Sequence, residues 1–346
     1  MKQAYIKAIS YHLPQHLLTN IDLVKEFPKW TAEKVANKVG IDVRHIAAEG
    51  ETAGDMAEQA ALKLFDEWGI NPQDIDFVML CTQSPDYFLP TTACVLQHRL
   101  GISTSSGAID YNLGCSGFVY GLALAKGLVI SGVAKNVLLL TSETYSKHIH
   151  PKDKGNRTIF GDASAATLVS ADGFAEIGEF SLGTDGSGAE NLIVKTGGMR
   201  HQKAMNDIAL DESGAICSSD NLYMNGSEIF SFTQDNVPLL VADTLAKNRC
   251  EKKDIDLFVF HQANKHMLGF LRKKIQIEEE KFYYCLSRFG NTVSSTIPIA
   301  LKEAMSDNSI KTGNKVLIAG FGVGYSWGGV TLNFYKLISK KRKLKY

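Results

Sequence analysis

Two stretches 180 positions apart are nearly the same segment: Asp74-Ile-Asp-Phe-Val-Met-Leu80 and Asp254-Ile-Asp-Leu-Phe-Val-Phe260. Further on, Lys135-Asn-Val-Leu-Leu-Leu140 answers to Asn314-Lys-Val-Leu-Ile-Ala319, 179 positions later. Ser164-Ala-Ala-Thr-Leu-Val169 answers more loosely to Trp327-Gly-Gly-Val-Thr-Leu-Asn333. Solenoid units are roughly 20–50 residues long, so a period of this size is a repeat of whole domains. Each copy alternates apolar, strand-like runs with helical patterns, which is how α/β units read. The chain is therefore expected to form two similar α/β halves, residues 1–175 and 176–346. Strand runs this apolar predict sheets layered between helices.

Local signals fill in the first half. Asn20 and Thr31 are candidate caps of two short helices, the second stopped by Gly40. Thr52 precedes an amphipathic helix carrying Met56, Ala60, Leu64, Phe65 and Trp68, closed by Gly69. Asp76–Thr82, Asn136–Glu143 and Gly161–Val169 read as strands, and Pro90-Thr-Thr92 opens a helix that Gly101 ends. The Gly-rich, polar region from Gly178 to Gly226 is expected to be mostly loops and short strands.

Chemistry concentrates at Ala108-Ile-Asp-Tyr-Asn-Leu-Gly-Cys115-Ser-Gly-Phe118, which continues as an Ala/Leu/Val-rich pattern to about Ser131. The pattern predicts a buried strand, a tight turn and a buried helix, with Cys115 at the helix N-terminus. Unpaired N–H groups and the helix dipole there favour a thiolate, the nucleophilic form of cysteine. Free cysteine is ordinarily inert core filling, but the small residues around Cys115 leave room for a substrate. By the repeat, Asn291 in Arg288-Phe-Gly-Asn291-Thr-Val-Ser-Ser295 is the counterpart of Cys115, 176 positions on. His261 directly follows the Asp254 strand. Two halves packed face to face would bring these element ends together.

Composition excludes several classes. The 37 basic and 37 acidic residues cancel, so no global field recruits nucleic acid or an anionic membrane. The basic run Lys336 to Lys345 is read as a solvated terminus. Six cysteines stand singly, without a Cys-x-x-Cys pair, which argues against a disulfide framework or zinc site and fits a reducing cytoplasm. The N-terminus reads as a strand rather than a signal peptide. The apolar region Phe118 to Leu140 is broken by Lys126, Lys135 and several glycines, so it is not one membrane span. Gly322-Val-Gly324-Tyr-Ser-Trp327 lacks the third glycine of a dinucleotide fingerprint, and there is no Walker sequence and no His-Glu-x-x-His.

In order and at these spacings, six pieces resemble the β-ketoacyl-acyl-carrier-protein synthase III family of the thiolase superfamily, almost end to end. They are Gly40-Ile-Asp-Val-Arg-His-Ile-Ala-Ala48, Leu113-Gly-Cys115-Ser-Gly-Phe118, Phe160-Gly-Asp-Ala-Ser-Ala165, His261-Gln-Ala-Asn264, Gly290-Asn291-Thr292 and Gly320-Phe-Gly-Val-Gly-Tyr-Ser-Trp-Gly328. The resemblance implies a thiolase-like α-β-α-β-α architecture and a homodimer working without cofactor or metal. It places the family's nucleophile on Cys115 and its paired His and Asn on His261 and Asn291. The implied reaction takes an acyl group from acyl-CoA or acyl-carrier protein onto Cys115, then condenses it with malonyl-acyl-carrier protein as carbon dioxide leaves. The product is a 3-oxoacyl thioester. His261 and Asn291 would hold the enolate oxygen, and Asn suits the task because it donates without ionising. The acyl-enzyme's oxyanion would lie on backbone N–H groups of Cys115 and of the Gly322–Val323 loop.

Substrate-binding positions carried over from the family fall on Lys38, Lys154, Asn264, Leu89, Phe160 and Phe321. Several depart from the housekeeping pattern. Lys34, Lys38 and Lys154 stand where Trp and Arg side chains surround the coenzyme A nucleotide, keeping charge but losing stacking and the planar fork. His266 replaces a docking-face Arg, Val323 a glycine beside the nucleophile, and Leu89 an aromatic floor of the acyl pocket. These departures point to a specialised pathway. Three other readings remain at this stage. An acyltransferase of the same fold would form an ester or amide without a carbon–carbon bond, but it would have no enolate for Asn291. A thiolase-like or hydroxymethylglutaryl-synthase-like enzyme would need another acid, for which only Glu143 offers itself, and Glu143 is expected to be a solvated strand terminus. A non-catalytic partner subunit would have little reason to keep Cys115.

Overall fold

A computed structural model of the chain describes residues 3–210 and 214–335, and the basic run Lys336 to Lys345 lies outside the described residues. The first half contains β1 (Tyr5–His12), β2 (His16–Thr19), α1 (Asn20–Glu26), α2 (Ala32–Val39), β3 (Val43–Ile46) and α3 (Ala53–Trp68). It continues through β4 (Phe77–Cys81), α4 (Thr92–Arg99), β5 (Gly107–Tyr111), α5 (Gly117–Ser131), β6 (Asn136–Glu143), α6 (Lys154–Arg157) and β7 (Ala163–Ser170). The second half has β8 (Ala175–Thr184), the two-residue strands β9 (Leu192–Ile193), β10 (Ala209–Leu210), β11 (Ile216–Cys217) and β12 (Tyr223–Met224), and α7 (Gly226–Lys247). It ends with β13 (Leu257–Phe260), α8 (Lys265–Ile275), α9 (Thr296–Ser306), β14 (Lys315–Gly322) and β15 (Ser326–Phe334).

The repeat becomes the topology. Nine strands run in the order β13-β14-β15-β8-β1-β7-β6-β4-β5. Read outward from the β8–β1 seam, each side gives the same series, with β8, β15, β14 and β13 matching β1, β7, β6 and β4. Only the partner of β5 is missing, reduced to a single bridge between Phe258 and Phe282. The seam itself is two residue pairs, Tyr5 with Glu176 and Ile6 with Ala175. Even the turn chemistry repeats. Asp76 accepts the backbone N–H groups of Lys135 and Asn136 at 2.8 Å each, and Asp256 accepts that of Lys315 at 2.7 Å. Each aspartate ties the start of one strand to the start of its parallel or crossover neighbour.

Five layers follow. Helices α3 and α4 cover the outer face of the first half-sheet, α7 covers that of the second with α8 packed on it, and α5 and α9 lie between. Strands buried on both faces must be apolar at every position, which explains the unbroken runs seen in the sequence. In β6, Leu138 and Leu140 face the outer core with Val78 and Leu80, while Leu139 faces the middle core with Met79, Phe118 and Leu122. The same alternation in β14 sends Ile318 to the middle and Leu317 and Ala319 to the far side. Helix α5 can be apolar all round because it touches both half-sheets.

Some local expectations are corrected. Thr19 rather than Asn20 caps α1, in a capping box with Asp22. Asn20 is instead buried and donates to Ile41 O, because its side chain is needed inside. Thr31 and Thr52 cap their helices as expected, and Gly40 and Gly69 end them in left-handed conformations that suit glycine. The strand after Phe160 begins at Ala163. The Gly178–Gly226 region opens with much of β8, a ten-residue strand at the seam of the sheet. Its charged residues hid it, since one face of β8 is partly exposed.

Removal of Asp76 leaves two backbone donors without their carboxylate, a loss of roughly 1–2 kcal/mol for a half-buried site. Asp76→Ala should lower the thermal unfolding midpoint more than Asp256→Ala, whose aspartate is exposed and accepts one such bond. Equal shifts, or none, would contradict this account of the strand junctions.

Candidate active site

Parallel strands present their carboxyl ends to one side of a sheet, and that is where α/β folds collect functional groups. Here β4 leads to Thr82–Ser84, β5 to Cys115, β6 ends on Glu143, β13 leads to His261 and β14 ends on Gly322. The two halves thus contribute from matching places. His261 follows β13 as Cys81 ends β4.

Cys115 lies just ahead of α5, whose N-cap is Ser116. Ser116 makes no capping bond; its hydroxyl meets that of Ser326 at 2.6 Å, across the two halves. The cysteine is buried, and the chain around it approaches too closely for other side chains. A Cβ on Gly322 would lie 2.9 Å from both Cβ and Sγ of Cys115, and one on Gly320 would lie 2.7 Å from its carbonyl oxygen. A Cβ on Gly114 would lie 2.6 Å from Val323 Cγ1 and 2.7 Å from Gln83 Oε1. Small residues are therefore required on both strands of the approach.

The helix end is not the dominant influence on the thiol, contrary to the sequence expectation. Burial, then the carboxylate of Glu143, push the Cys115 thiol up to about 12, while the backbone N–H groups of Cys115 and Val323 pull it down. The resting cysteine is a thiol. Those two N–H groups are the donors expected at this loop, and both face the sulfur.

His261 is 2% exposed. Burial drives its imidazole down to about 3, so the ring is neutral at physiological pH. Its Nδ1 lies 2.8 Å from the Thr296 hydroxyl oxygen, which also lies 3.1 Å from Val293 O, so the one hydroxyl proton serves either the ring or that carbonyl. Asn291 is also buried, and its Oδ1 accepts the Val293 N–H at 2.9 Å. With the oxygen so engaged, Nδ2 is left as the free donor of the amide. Val293 thus connects the two side chains. Phe321, next to Gly322, packs edge-on against the His261 ring at 5.8 Å. Phe160 is bridged to Asn291 through the backbone, and its ring packs against Tyr145 at 5.0 Å. It also lines, with Ile149 and Arg157, a cavity of about 220 Å³.

The other residues singled out in the sequence stand farther out. Asn264 is half-buried and caps α8 through its Oδ1, accepting the Met267 N–H at 2.9 Å. Lys34 and Lys38 are exposed on α2, and Lys154 is exposed with its Nζ 5.7 Å above the Phe27 ring. His266 stacks on Phe230. Leu89 is 85% exposed on the loop before α4. Glu143 is a clear correction: it is fully buried, because β6 ends inside the site rather than at the surface. Thr296, Ser294 and Tyr145 were not picked out from the sequence. Nothing in their spacing distinguishes them from ordinary buried polar or aromatic residues.

Two family descriptions match the chain: 3-oxoacyl-[acyl-carrier-protein] synthase III over residues 109–186, and the C-terminal part of the same family over 245–334. A β-ketoacyl-[acyl-carrier-protein] synthase III of Campylobacter jejuni is 34% identical over 335 residues, covering 96% of this chain and 98% of that protein. Among solved structures, a 3-oxoacyl-(acyl-carrier-protein) synthase III is 50% identical with a TM-score of 0.93, covering 96% of this chain and all of the other. A 3-oxoacyl-(acyl-carrier protein) synthase of Burkholderia xenovorans is 36% identical with a TM-score of 0.89, covering 97% and 95%.

The crowding at Gly322 yields a test. Gly322→Ala should slow iodoacetamide alkylation of Cys115 at fixed pH, because the new methyl must displace the sulfur. Gly127→Ala, in the interior of α5 with nothing within 4 Å of the new Cβ, should leave alkylation unchanged and stabilise the fold by about 0.5–1 kcal/mol. Unimpaired alkylation in the Gly322 variant would show that the sulfur is less confined than described.

Proposed function

The chain belongs to the 3-oxoacyl-[acyl-carrier-protein] synthase III family, and from that premise we propose how its own residues divide the reaction. The reaction is the decarboxylating condensation of an acyl thioester, acyl-CoA, with malonyl-acyl-carrier protein. The half spanning residues 1–175 supplies the nucleophile, and the half spanning 176–346 supplies the pair that stabilises the enolate.

In the loading step Cys115 attacks the thioester carbonyl of the donor. Its sulfur–carbon bond forms, the donor's carbon–sulfur bond breaks, and the thiol proton leaves with the departing thiol. The backbone N–H groups of Cys115 and Val323 hold the oxyanion of the tetrahedral intermediate. In the condensing step the malonyl carbon–carboxylate bond breaks and its electron pair passes into the thioester, whose oxygen becomes enolate-like. Two uncharged donors meet that oxygen: Asn291 Nδ2, and His261 Nε2–H when the Thr296 hydroxyl donates to Nδ1. The carbanion then attacks the acyl carbon on Cys115 and expels the cysteine, which is reprotonated.

The observation that carries this reading is the orientation of Asn291. Its Oδ1 accepts the Val293 N–H, which turns the amide so that its NH2 group, a donor, is left for the substrate. A neutral His261 beside it fits the same task, since a buried imidazolium would cost far more to hold. An ester- or amide-forming acyltransferase has no decarboxylation enolate for such a pair.

The homodimer belongs to the proposal too. Strand β5 ends the nine-stranded sheet with an unpaired edge and a half-exposed Ile109. On the loop between β4 and α4, Tyr87, Phe88 and Leu89 are 63%, 75% and 85% exposed, a run of apolar surface that a monomer gains nothing by presenting to water. A second copy would cover both and could bring Leu89 to an acyl pocket. A cytoplasmic site of action is part of the same proposal, in keeping with Cys81, Cys94, Cys115, Cys250 and Cys285, which form no disulfide among the described residues.

Asn291→Ala separates the two steps. Loss of one oxyanion donor typically lowers a rate by about 10²–10³. Release of carbon dioxide from a labelled malonyl thioester should fall by that order, while acylation of Cys115, followed by mass, changes little. Equal loss in both steps would refute the division of labour. Acyl transfer by the wild type to an alcohol or amine, with no carbon dioxide from any malonyl donor, would refute the condensing reaction itself.

A further inference from the structure

Glu143 is a carboxylate buried behind the nucleophile, and the reaction just described makes no use of it. It is 0% exposed. Its Oε2 accepts the Gln83 backbone N–H at 3.0 Å and lies 3.5 Å from the Ser84 hydroxyl; its Oε1 accepts the Ser294 hydroxyl at 3.0 Å. These three donors come from the end of β4 and from the turn that carries Asn291. The network continues outward, because the Ser84 hydroxyl also reaches His148 Nε2 at 3.3 Å and the Tyr145 hydroxyl donates to Gln83 Oε1 at 3.2 Å.

No cation answers this carboxylate. It makes no ion pair among the described residues. The titratable groups that face it are Cys81 from the end of β4, Tyr111 from β5, Cys115 before α5, Tyr145 and His148 from the turn after β6, and Asp162 ahead of β7. All are thiols, phenols, a carboxyl, or an imidazole held neutral by burial. The positive feature at hand is the first turn of α5. A Cβ on Gly117 would lie 2.3 Å from Cys81 Sγ and 3.7 Å from Ser294 Cβ, so the residue that donates to Glu143 packs on that turn. Cys115 occupies the same helix end. Glu143 is thus buried behind the turn that carries Cys115, held through Ser294 and Gln83 and not by N–H groups of α5 itself.

We propose that Glu143 is a positioning residue for the loading step: its buried carboxylate, held through Ser294 and Gln83 behind the turn that carries Cys115, governs how readily Cys115 gives up its proton. Like charges at close quarters in a dry site disfavour simultaneous ionisation, so the two groups titrate as a pair. Burial pushes the Glu143 carboxyl up to about 8, against its three hydrogen bonds, and the carboxylate in turn raises the cysteine. From about pH 8 upward, where the carboxylate forms, it adds to burial in keeping the nucleophile a thiol between turnovers. This rests on the reading of Cys115 as the reactive cysteine.

The test is the pH profile of Cys115 alkylation by iodoacetamide, located by peptide mass, in the wild type, Glu143→Gln and Glu143→Asp. Glutamine preserves size and can still accept from Gln83 while donating to Ser294, but it carries no charge. Its profile should move to lower pH by about one unit. The gain in thiolate is partly offset by the lower nucleophilicity of a less basic sulfur, leaving a net rise of roughly threefold in rate near pH 8. Glu143→Asp keeps the charge and should stay with the wild type. A merely structural glutamate would lower the rate at every pH without moving the midpoint, and that result would overturn the proposal. Should the glutamine variant fail to fold, the wild type labelled with glutamate carrying carbon-13 in its side-chain carboxyl gives the answer by NMR. One glutamate should titrate well above the rest and shift when Cys115 is alkylated; a set that all titrates below about pH 6 would overturn the proposal. Alkylation at another cysteine would instead sink the reading of Cys115, so the two failures are distinguishable.

Discussion

The site depends on a backbone junction between the two halves. Asn291 N–H donates to Ile159 O at 2.9 Å and Gly161 N–H donates to Asn291 O at 3.0 Å, so a residue of the second half is laced by its main chain into the first. Around this junction the first half closes tightly. Arg44 is fully buried and donates through Nε to Thr158 O, while Gly161 and Gly290 leave space for its side chain. Asp162 accepts the N–H groups of Ala47 and Ser146. The place of Asn291, the proposed enolate donor, thus rests on peptide hydrogen bonds, which are directional and hard to relax when buried. Side chains alone, one from each half, would not hold Asn291 in place relative to Cys115.

The same packing sets the electrostatics. Both half-sheets exclude water from the site, and burial pushes three of its groups toward their neutral forms. Cys115 rests as a thiol, His261 as an imidazole, and Glu143 becomes reluctant to ionise. Neutral donors are what a developing enolate needs, because they strengthen as charge appears without having carried a charge into the interior beforehand. Dryness therefore supports the condensing step while opposing the formation of the nucleophile. The backbone N–H groups of Cys115 and Val323 act against that opposition at the sulfur.

Much of this was legible in the sequence because it follows from period and spacing. The 180-residue repeat of Asp74–Leu80 in Asp254–Phe260 gave the paired strands, and doubly buried strands announce themselves as continuous apolar runs. The offset from Cys115 to Asn291 and the place of His261 after its strand located the site. The strand β8 was obscured because its partly exposed face carries Glu176, Glu179 and Gly-rich flanks, which look like loop. Glu143 was misjudged because a charged residue at a strand end is ordinarily solvated; only the five-layer packing shows that this strand ends indoors. The thiol was misjudged for a related reason. A sequence shows the helix end that would favour a thiolate but not the burial that outweighs it. Leu89 shows a third limit, since its surroundings depend on whatever covers the exposed loop.

The most direct measurement is a single-turnover chase. Protein acylated by a stoichiometric acyl thioester is freed of excess donor, digested for peptide mapping, and in parallel mixed with carboxyl-labelled malonyl thioester. The account predicts one acyl group, carried on Cys115, that disappears as one equivalent of labelled carbon dioxide is released and a 3-oxoacyl thioester forms. An acyl group mapped to another residue, or one on Cys115 that persists while carbon dioxide is released, would contradict it.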